Sequence, residues 1–353
     1  MKSHLLIIGS IIVLIGLVIC AVSYFSNQNP ITEFKNKFSQ EKSEIAKTTP
    51  VTIFAVGDIM LSRDVDRVIK SKGDYNYPFL ETAAQSQSAD ISFANLETSI
   101  APGRSISTDE MTFRSDPETL QGLKWAGFNI VSLANNHTPD FGQKGLLDTF
   151  RYLDDAQIQY VGAGKNYSEA HQAKIIDKNG FKIAFLAYND SGIVPASYKA
   201  TENSVGTALA GTSKADLKVL DEDIKNAKKT ADFVIVSLHF GTEYASSANS
   251  KQQNFAHAAI DSGAEMVIGH HPHVVQNAEI YNGKYIFYSL GNFVFDQYWS
   301  EETKKGMAIK FVIDEQGARD FQFMPIMMEK IAQPKFLEGD SADAVISRLD
   351  LSQ

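Results

Sequence analysis

The sequence predicts an α/β body whose strands pair mainly in parallel. Two observations predict it. Short apolar runs of strand length alternate with longer segments of helical length. Residues suited to holding a metal follow the apolar runs, and ligand sites of open α/β sheets lie at the carboxyl ends of strands.

Taken in order, Leu5 to Phe25 is an almost unbroken apolar stretch, close to the ~20 residues a helix needs to cross a bilayer. Lys2 precedes it and polar Ser26 to Asn29 follow. No small-residue cleavage site of the Ala-x-Ala kind follows the apolar core, so residues 1–25 read as a transmembrane anchor rather than a cleaved leader. The charge pattern predicts a single-pass cell-membrane protein with a cytoplasmic N-terminus and an extracytoplasmic body. Residues 26–50 are polar and read as a stalk. The main domain is expected at 51–300, with strands and a helix at 301–353 completing it.

Val51 to Asp58 reads as the opening strand, and Ala89 to Ala94 as the next, leading to Asn95-Leu96-Glu97. Pro117 to Trp125 reads as a helix, with proline near its first turn. Phe128 to Leu133 is a strand before Asn135-Asn136-His137, and Gly142 to Ala156 a helix. Phe181 to Tyr188 is a strand and Lys214 to Lys229 a helix. Asp232 to Leu238 is a strand ending at His239, and Lys251 to Ser262 a helix. Glu265 to Ile268 is a strand before Gly269-His270-His271-Pro272-His273. Lys284 to Leu290 is a strand before Gly291-Asn292. Gly306 to Ile313 and Phe321 to Met327 read as a hairpin or meander, and Ala342 to Leu349 as a terminal helix.

Composition narrows the function. The chain has 353 residues and a net charge of -9, which lacks the basic footprint of a nucleic-acid binder, so no nucleic-acid binding is expected. Cys20 is the single cysteine, so there is neither an intrachain disulfide framework nor a cysteine zinc site.

Five of the eight histidines, His137, His239, His270, His271 and His273, fall at strand ends. Asp58 taken alone suits a helix N-cap or a turn. Glu97 directly follows a buried-looking strand, where a carboxylate needs a cation, a hydrogen-bond network or exposure. Asn136 offers a neutral oxygen beside His137, although paired asparagines also favour turns. Glu243 suits either a group orienting an imidazole or an exposed loop carboxylate. His271 and His273 lie two apart, so an extended backbone presents them on one face. His270 then turns to a supporting contact. Carboxylate, amide and imidazole donors without thiolate suit Mn, Fe, Zn or Mg. Two such cations can clamp a phosphoryl group.

The ordered set Gly57-Asp58-Ile59-Met60, Asn95-Leu96-Glu97, Asn135-Asn136-His137-Thr138-Pro139-Asp140, His239-Phe240-Gly241-Thr242-Glu243-Tyr244, Gly269-His270-His271-Pro272-His273 and Ser289-Leu290-Gly291-Asn292-Phe293 resembles the capsule-synthesis CapA family. That family is involved in poly-γ-glutamate production and is similar to the calcineurin-like metallophosphoesterases. The resemblance covers about residues 50–300. It implies a metallophosphoesterase-like two-sheet α/β sandwich with helices outside, holding a dinuclear divalent metal centre. By position it implies Asp58 as the first-strand ligand and Glu97 in place of the usual bridging aspartate. Asn136 would be the amide ligand, with Asn135 the alternative one residue earlier. His239, His271 and His273 would complete the metal set. His137, supported by Asp140, would be the catalytic histidine that protonates a leaving oxygen or stabilises charge.

One departure stands out. Where the phosphoesterase pattern has a histidine two residues after the first aspartate, this chain has Met60, a poor ligand for hard metals. The leading expectation is a CapA-like protein of capsule or poly-γ-glutamate synthesis or export with a phosphoesterase-like hydrolase site. Its expected partners are the cytoplasmic membrane, subunits of a membrane polymer synthase, and an anionic polymer or phosphoester substrate. Two alternatives stay open: a non-catalytic partner of a polymer synthase, and a generic secreted metal-dependent phosphodiesterase or nucleotidase.

Overall fold

Along the opening strand, Val51–Ile59, side chains alternate between two apolar environments. Ile53 and Ala55 join a core shared with Ile183, Phe185, Ile235 and Ile268. Phe54 and Val56 join another, with Leu120, Leu146 and Phe150. Burial on both faces is what a nearly continuous apolar run provides. The computed structural model describes residues 49–351 and shows a mixed α/β fold of two sheets with helices.

The first sheet runs in the order Gln333–Phe336, Gly317–Lys330, Lys305–Asp314, Val51–Ile59, Ile91–Leu96, Ile130–Ser132 and Gln159–Val161, with Asn292–Val294 added against the opening strand. The second runs Leu209–Ala210, Phe181–Asp190, Phe233–His239, Met266–His270, Lys284–Phe287 and Ala278–Tyr281, with Lys174–Lys178 beside Phe181–Asp190. Central pairings in both sheets are parallel, as expected, while the strands after residue 300 are antiparallel. The expected hairpin forms between Lys305–Asp314 and Gly317–Lys330.

The sheets face each other across one core, where Phe93 stacks on Phe185 with centroids 5.4 Å apart. Each such fully buried side chain contributes roughly 1.5–3 kcal/mol. Helices cover the outer faces. Gly142–Asp155 buries Leu146, Phe150 and Leu153 on the first sheet, and Lys214–Lys228 buries Leu220, Ile224 and Ala227 on the second. Both sets follow the i, i+4, i+7 spacing of an amphipathic helix. Asn249 and Gln252 form a capping box that starts Ser250–Asp261.

Two expectations are corrected. No helix among the described residues is long and apolar enough to cross a membrane. The segment Leu5 to Phe25 lies outside the described residues, as does the stalk apart from Thr49 and Pro50. The single-pass, cell-membrane localisation is therefore not carried forward. The strand expected at Lys284 to Leu290 ends at Phe287. The chain then leaves the second sheet, turns at Gly291 with φ +68°, and joins the first sheet as Asn292–Val294.

This topology brings strand ends together. Parallel strands of the first sheet deliver Asp58, Asn95 and the Asn135–His137 loop. Those of the second deliver Asn189, His239 and His270, which lie side by side in register.

Candidate metal centre

Asp58 is fully buried at the end of the opening strand. Its position depends on Gly57, where an added β-carbon would lie 1.8 Å from the Gly291 carbonyl oxygen. The same carbonyl accepts a hydrogen bond from Asp58 N at 3.0 Å. Asp58 Oδ1 lies 2.9 Å from Asn95 Nδ2 and 3.3 Å from His270 Nδ1. The latter is an ion-pair distance without hydrogen-bond alignment, and both ring nitrogens of His270 are buried without a hydrogen-bond partner. Asp58 Oδ2 lies 3.5 Å from His273 Nδ1.

Glu97 is also fully buried. Its Oε2 accepts from Asn95 Nδ2 at 3.1 Å, and its Oε1 has no hydrogen-bond partner. That orphan oxygen lies 3.7 Å from His273 Nε2 and 4.0 Å from His137 Nε2. Asp58, Glu97 and His239 each offer a ligand atom within 4.8 Å of the others, and Glu243, His271 and His273 do the same. His239 and His271 link the two groups, with ring centroids 4.8 Å apart. A buried carboxylate oxygen and buried imidazole nitrogens without partners, His271 Nδ1 among them, fit a cation better than they fit an empty interior.

Electrostatics point the same way. Burial opposes ionisation of Asp58, but the adjacent His270 and His273 outweigh it and hold the carboxyl well below its usual range. Burial and the negative charge of Asp58 push Glu97 well above its own. Burial opposes protonation of His273, yet Glu97 and Asp58 raise it to about 9. Burial and the neighbouring His273 push His271 down to about 3. Burial, with the charge of His271, also drives His239 well down. Groups of one sign thus split their protonation states, the crowding that a divalent cation relieves.

Asn135 and Asn136 differ in what their amides touch. Asn135 Oδ1 accepts from His137 N at 3.1 Å and Thr138 N at 2.8 Å, and its Nδ2 donates to Asn95 Oδ1 at 3.0 Å. It builds the loop. Asn136 Oδ1 instead faces His239 Nε2 at 2.8 Å, inside the cluster. His137 Nδ1 bonds Asp140 Oδ2 at 2.9 Å, and its ring stacks on Phe113 with centroids 3.8 Å apart.

The histidine segment departs from the extended geometry expected. The strand stops at His270, and His271 and His273 take positive φ of 101° and 58°. A left-handed turn, not alternation along a strand, aims both rings into the cluster. The His270 ring lies beside Asp58, with Nδ1 3.3 Å from Oδ1. Met60 is fully buried, and its Sδ accepts from Ser62 N at 3.0 Å.

Two residues at the site were missed from sequence. Asn95 bridges both carboxylates, and its signal was the spacing of two from Glu97, which places both on one strand face. Asn189 sits in register with His239, and both its amide atoms are buried without a partner. Its signal was a polar residue closing an apolar strand. Glu243, which the sequence left between a group orienting an imidazole and an exposed loop carboxylate, stands with His271 and His273 although it is exposed to solvent.

A family described as bacterial capsule synthesis protein PGA_cap matches residues 52–297. The chain is 29% identical over 327 residues to a "Capsule biosynthesis protein CapA" of Bacillus anthracis, covering 92% of this chain and 76% of that one. It is 34% identical over 290 residues to a "PGA biosynthesis protein CapA" of Bacillus subtilis (strain 168), covering 81% and 73%. It is 30% identical over 285 residues to a "Probable polyglutamine synthesis accessory protein" of Mycobacterium tuberculosis, covering 70% and 74%.

Proposed function

The chain belongs to the bacterial capsule synthesis protein family, and from that premise we propose that it serves capsule or poly-γ-glutamate synthesis through a metal-dependent, phosphoesterase-like site. The observation that carries the reading is the orphan Oε1 of Glu97, buried in a cluster where Asp58, Glu97 and His239 offer ligand atoms within 4.8 Å of one another. A divalent cation bound there supplies Lewis acidity toward a substrate oxygen. Asp58, Glu97, Asn136, His239, His271 and His273 would hold it, with Glu243 joining at a second position.

The chain's own residues account for the proton. Asp140 accepts from His137 Nδ1, which fixes the ring tautomer and leaves Nε2 turned toward Glu97. Nε2 can then exchange a proton with a leaving oxygen in the cleft. The substrate class is an anionic polymer or phosphoester, and the partners are subunits of a polymer synthase.

A second reading, a non-catalytic partner of such a synthase, draws support from Met60. Its sulfur is taken up by the Ser62 amide and its side chain packs in the core, so the position contributes no hard ligand. Metal analysis of the purified full chain, paired with hydrolysis of bis(p-nitrophenyl) phosphate and γ-glutamyl peptides, tests both. Bound transition metal with turnover that is lost in Asp58→Ala is the expected result. A folded chain that takes up no metal overturns the metal site, and metal without turnover selects the second reading.

A further inference from the structure

The ordered set read in the sequence ends on Ser289-Leu290-Gly291-Asn292-Phe293, and Asn292 has no part in the chemistry above. Its place in the fold is specific. The chain crosses there from the second sheet to the first, and Asn292 pairs in register with Asp58 across the parallel strands. The residue is fully buried. Its Oδ1 lies 3.0 Å from His273 Nδ1. Its Nδ2 donates to Thr303 O at 2.9 Å and to Gln297 Oε1 at 3.1 Å.

These contacts fix the direction of the amide, because the oxygen and nitrogen of an asparagine are told apart by their partners. The Thr303 carbonyl can only accept, so the atom facing it is the nitrogen. The atom facing His273 is therefore the oxygen, which also can only accept. His273 must then carry a proton on Nδ1, and the neutral ring has its lone pair on Nε2. The loop that receives the amide is itself closed. Thr303 Oγ1 bonds the Gln297 carbonyl at 2.8 Å and lies 3.0 Å from that of Ser300.

Asp58 Oδ2 also faces His273 Nδ1, at 3.5 Å. It is the longer contact and, unlike the amide, an anionic oxygen suited to a hard cation. A cation that draws on Asp58 leaves Asn292 as the acceptor for Nδ1–H. On the far side of the ring, Nε2 lies 3.7 Å from the orphan Oε1 of Glu97. We propose that Asn292 is a positioning residue for the metal centre, its amide oxygen holding the Nδ1 proton of His273 so that Nε2 is presented to the cation beside Glu97. The role rests on the metal reading above. Gly291 O accepts from Asp58 N at 3.0 Å, so one dipeptide at the sheet crossing sets two candidate ligands, one delivered by each sheet.

Metal titration and NMR of the full chain test this. Cobalt(II) should bind Asn292→Leu about 10–100-fold more weakly than the native chain. Asn292→Asp returns an acceptor to the same place and should recover most of that loss. An amide needed only to brace the 297–303 loop would not be replaced by a carboxylate, which cannot donate to Thr303 O. In the cadmium-loaded native chain, the metal should couple to both carbon-bound protons of the His273 ring, the pattern of Nε2 coordination, whereas binding through Nδ1 couples it to one. Loss of those signals in His273→Ala identifies them. If the Asn292 variants fail to fold, the coupling pattern of the native chain still decides. Unchanged cobalt affinity in Asn292→Leu, no recovery in Asn292→Asp, or coordination through Nδ1 overturns the proposal and leaves the metal site standing. A native chain that takes up neither ion removes the metal reading, and the role of Asn292 with it.

Discussion

His137 and Asp140 share one hydrogen bond, Nδ1 to Oδ2 at 2.9 Å, and the same Asp140 oxygen accepts Phe113 N at 2.7 Å. Asp140 thus holds both the histidine and the strip of backbone whose aromatic ring lies under that histidine. Asp140→Ala is expected to lower turnover by about 10–100-fold while leaving metal content unchanged. Rate and metal stoichiometry measured on the same preparation check it. Equal loss of both would assign Asp140 to metal retention instead.

Glu243 stands with His271 and His273 although it is exposed. Glu243→Ala is expected to reduce bound metal toward about half, whereas Asp58→Ala removes more, because buried anionic ligands hold a cation more strongly. Elemental analysis after gel filtration reads the difference. Unchanged stoichiometry in Glu243→Ala would leave that carboxylate as a loop residue.

Gly57 admits no side chain against Gly291. Gly57→Ala should cost about 3 kcal/mol or more, since neither backbone can yield without breaking the Asp58 N to Gly291 O bond. Urea unfolding of the full chain measures it. A loss below about 1 kcal/mol would mean that the two strands part easily.

Arg348 pairs with Glu302, and with Lys305 it holds the Glu302 carboxyl down at about 2 against an ordinary 4.5, outweighing partial burial. A depressed carboxylate stabilises the folded state above its unfolded pKa, and that contribution fades as pH falls from 4.5 through about 2. Solvent screens this half-exposed pair, so Arg348→Ala should cost under about 1 kcal/mol near neutral pH and nothing near the acid end. Urea midpoints across that range would show the two curves converging. A gap that persists at the acid end would point to lost packing rather than lost charge.

What was legible in the sequence was legible for a physical reason. Ile53 to Val56 and Val234 to Leu238 are buried on both faces, so their runs are apolar but for Ser237, and the polar residue ending each one stands out. Asp58, Glu97, His137 and His239 were found that way, and the structure draws them to one cluster. The helix Arg63–Lys72 went unread because it buries only a narrow apolar stripe, Val65 and Ile69, amid charge. Glu243 and the left-handed turns at His271 and His273 depend on where loops land, which no periodicity encodes. The end of the strand at Phe287 depends on a crossing between sheets, a tertiary demand that overrides local preference.

The opening strand has one edge served by two later segments, Lys305–Asp314 along its first half and Asn292–Val294 along its second. For a chain emerging from the ribosome, this sets an order. Until residues beyond 290 are released, the backbone that fixes Asp58 has no neighbour on that side, and the central strand of the first sheet stays open at an edge prone to mispairing. The stretch that carries the candidate ligands is therefore made early but finished late, and truncated products would hold every candidate ligand yet lack the surface that positions the first of them.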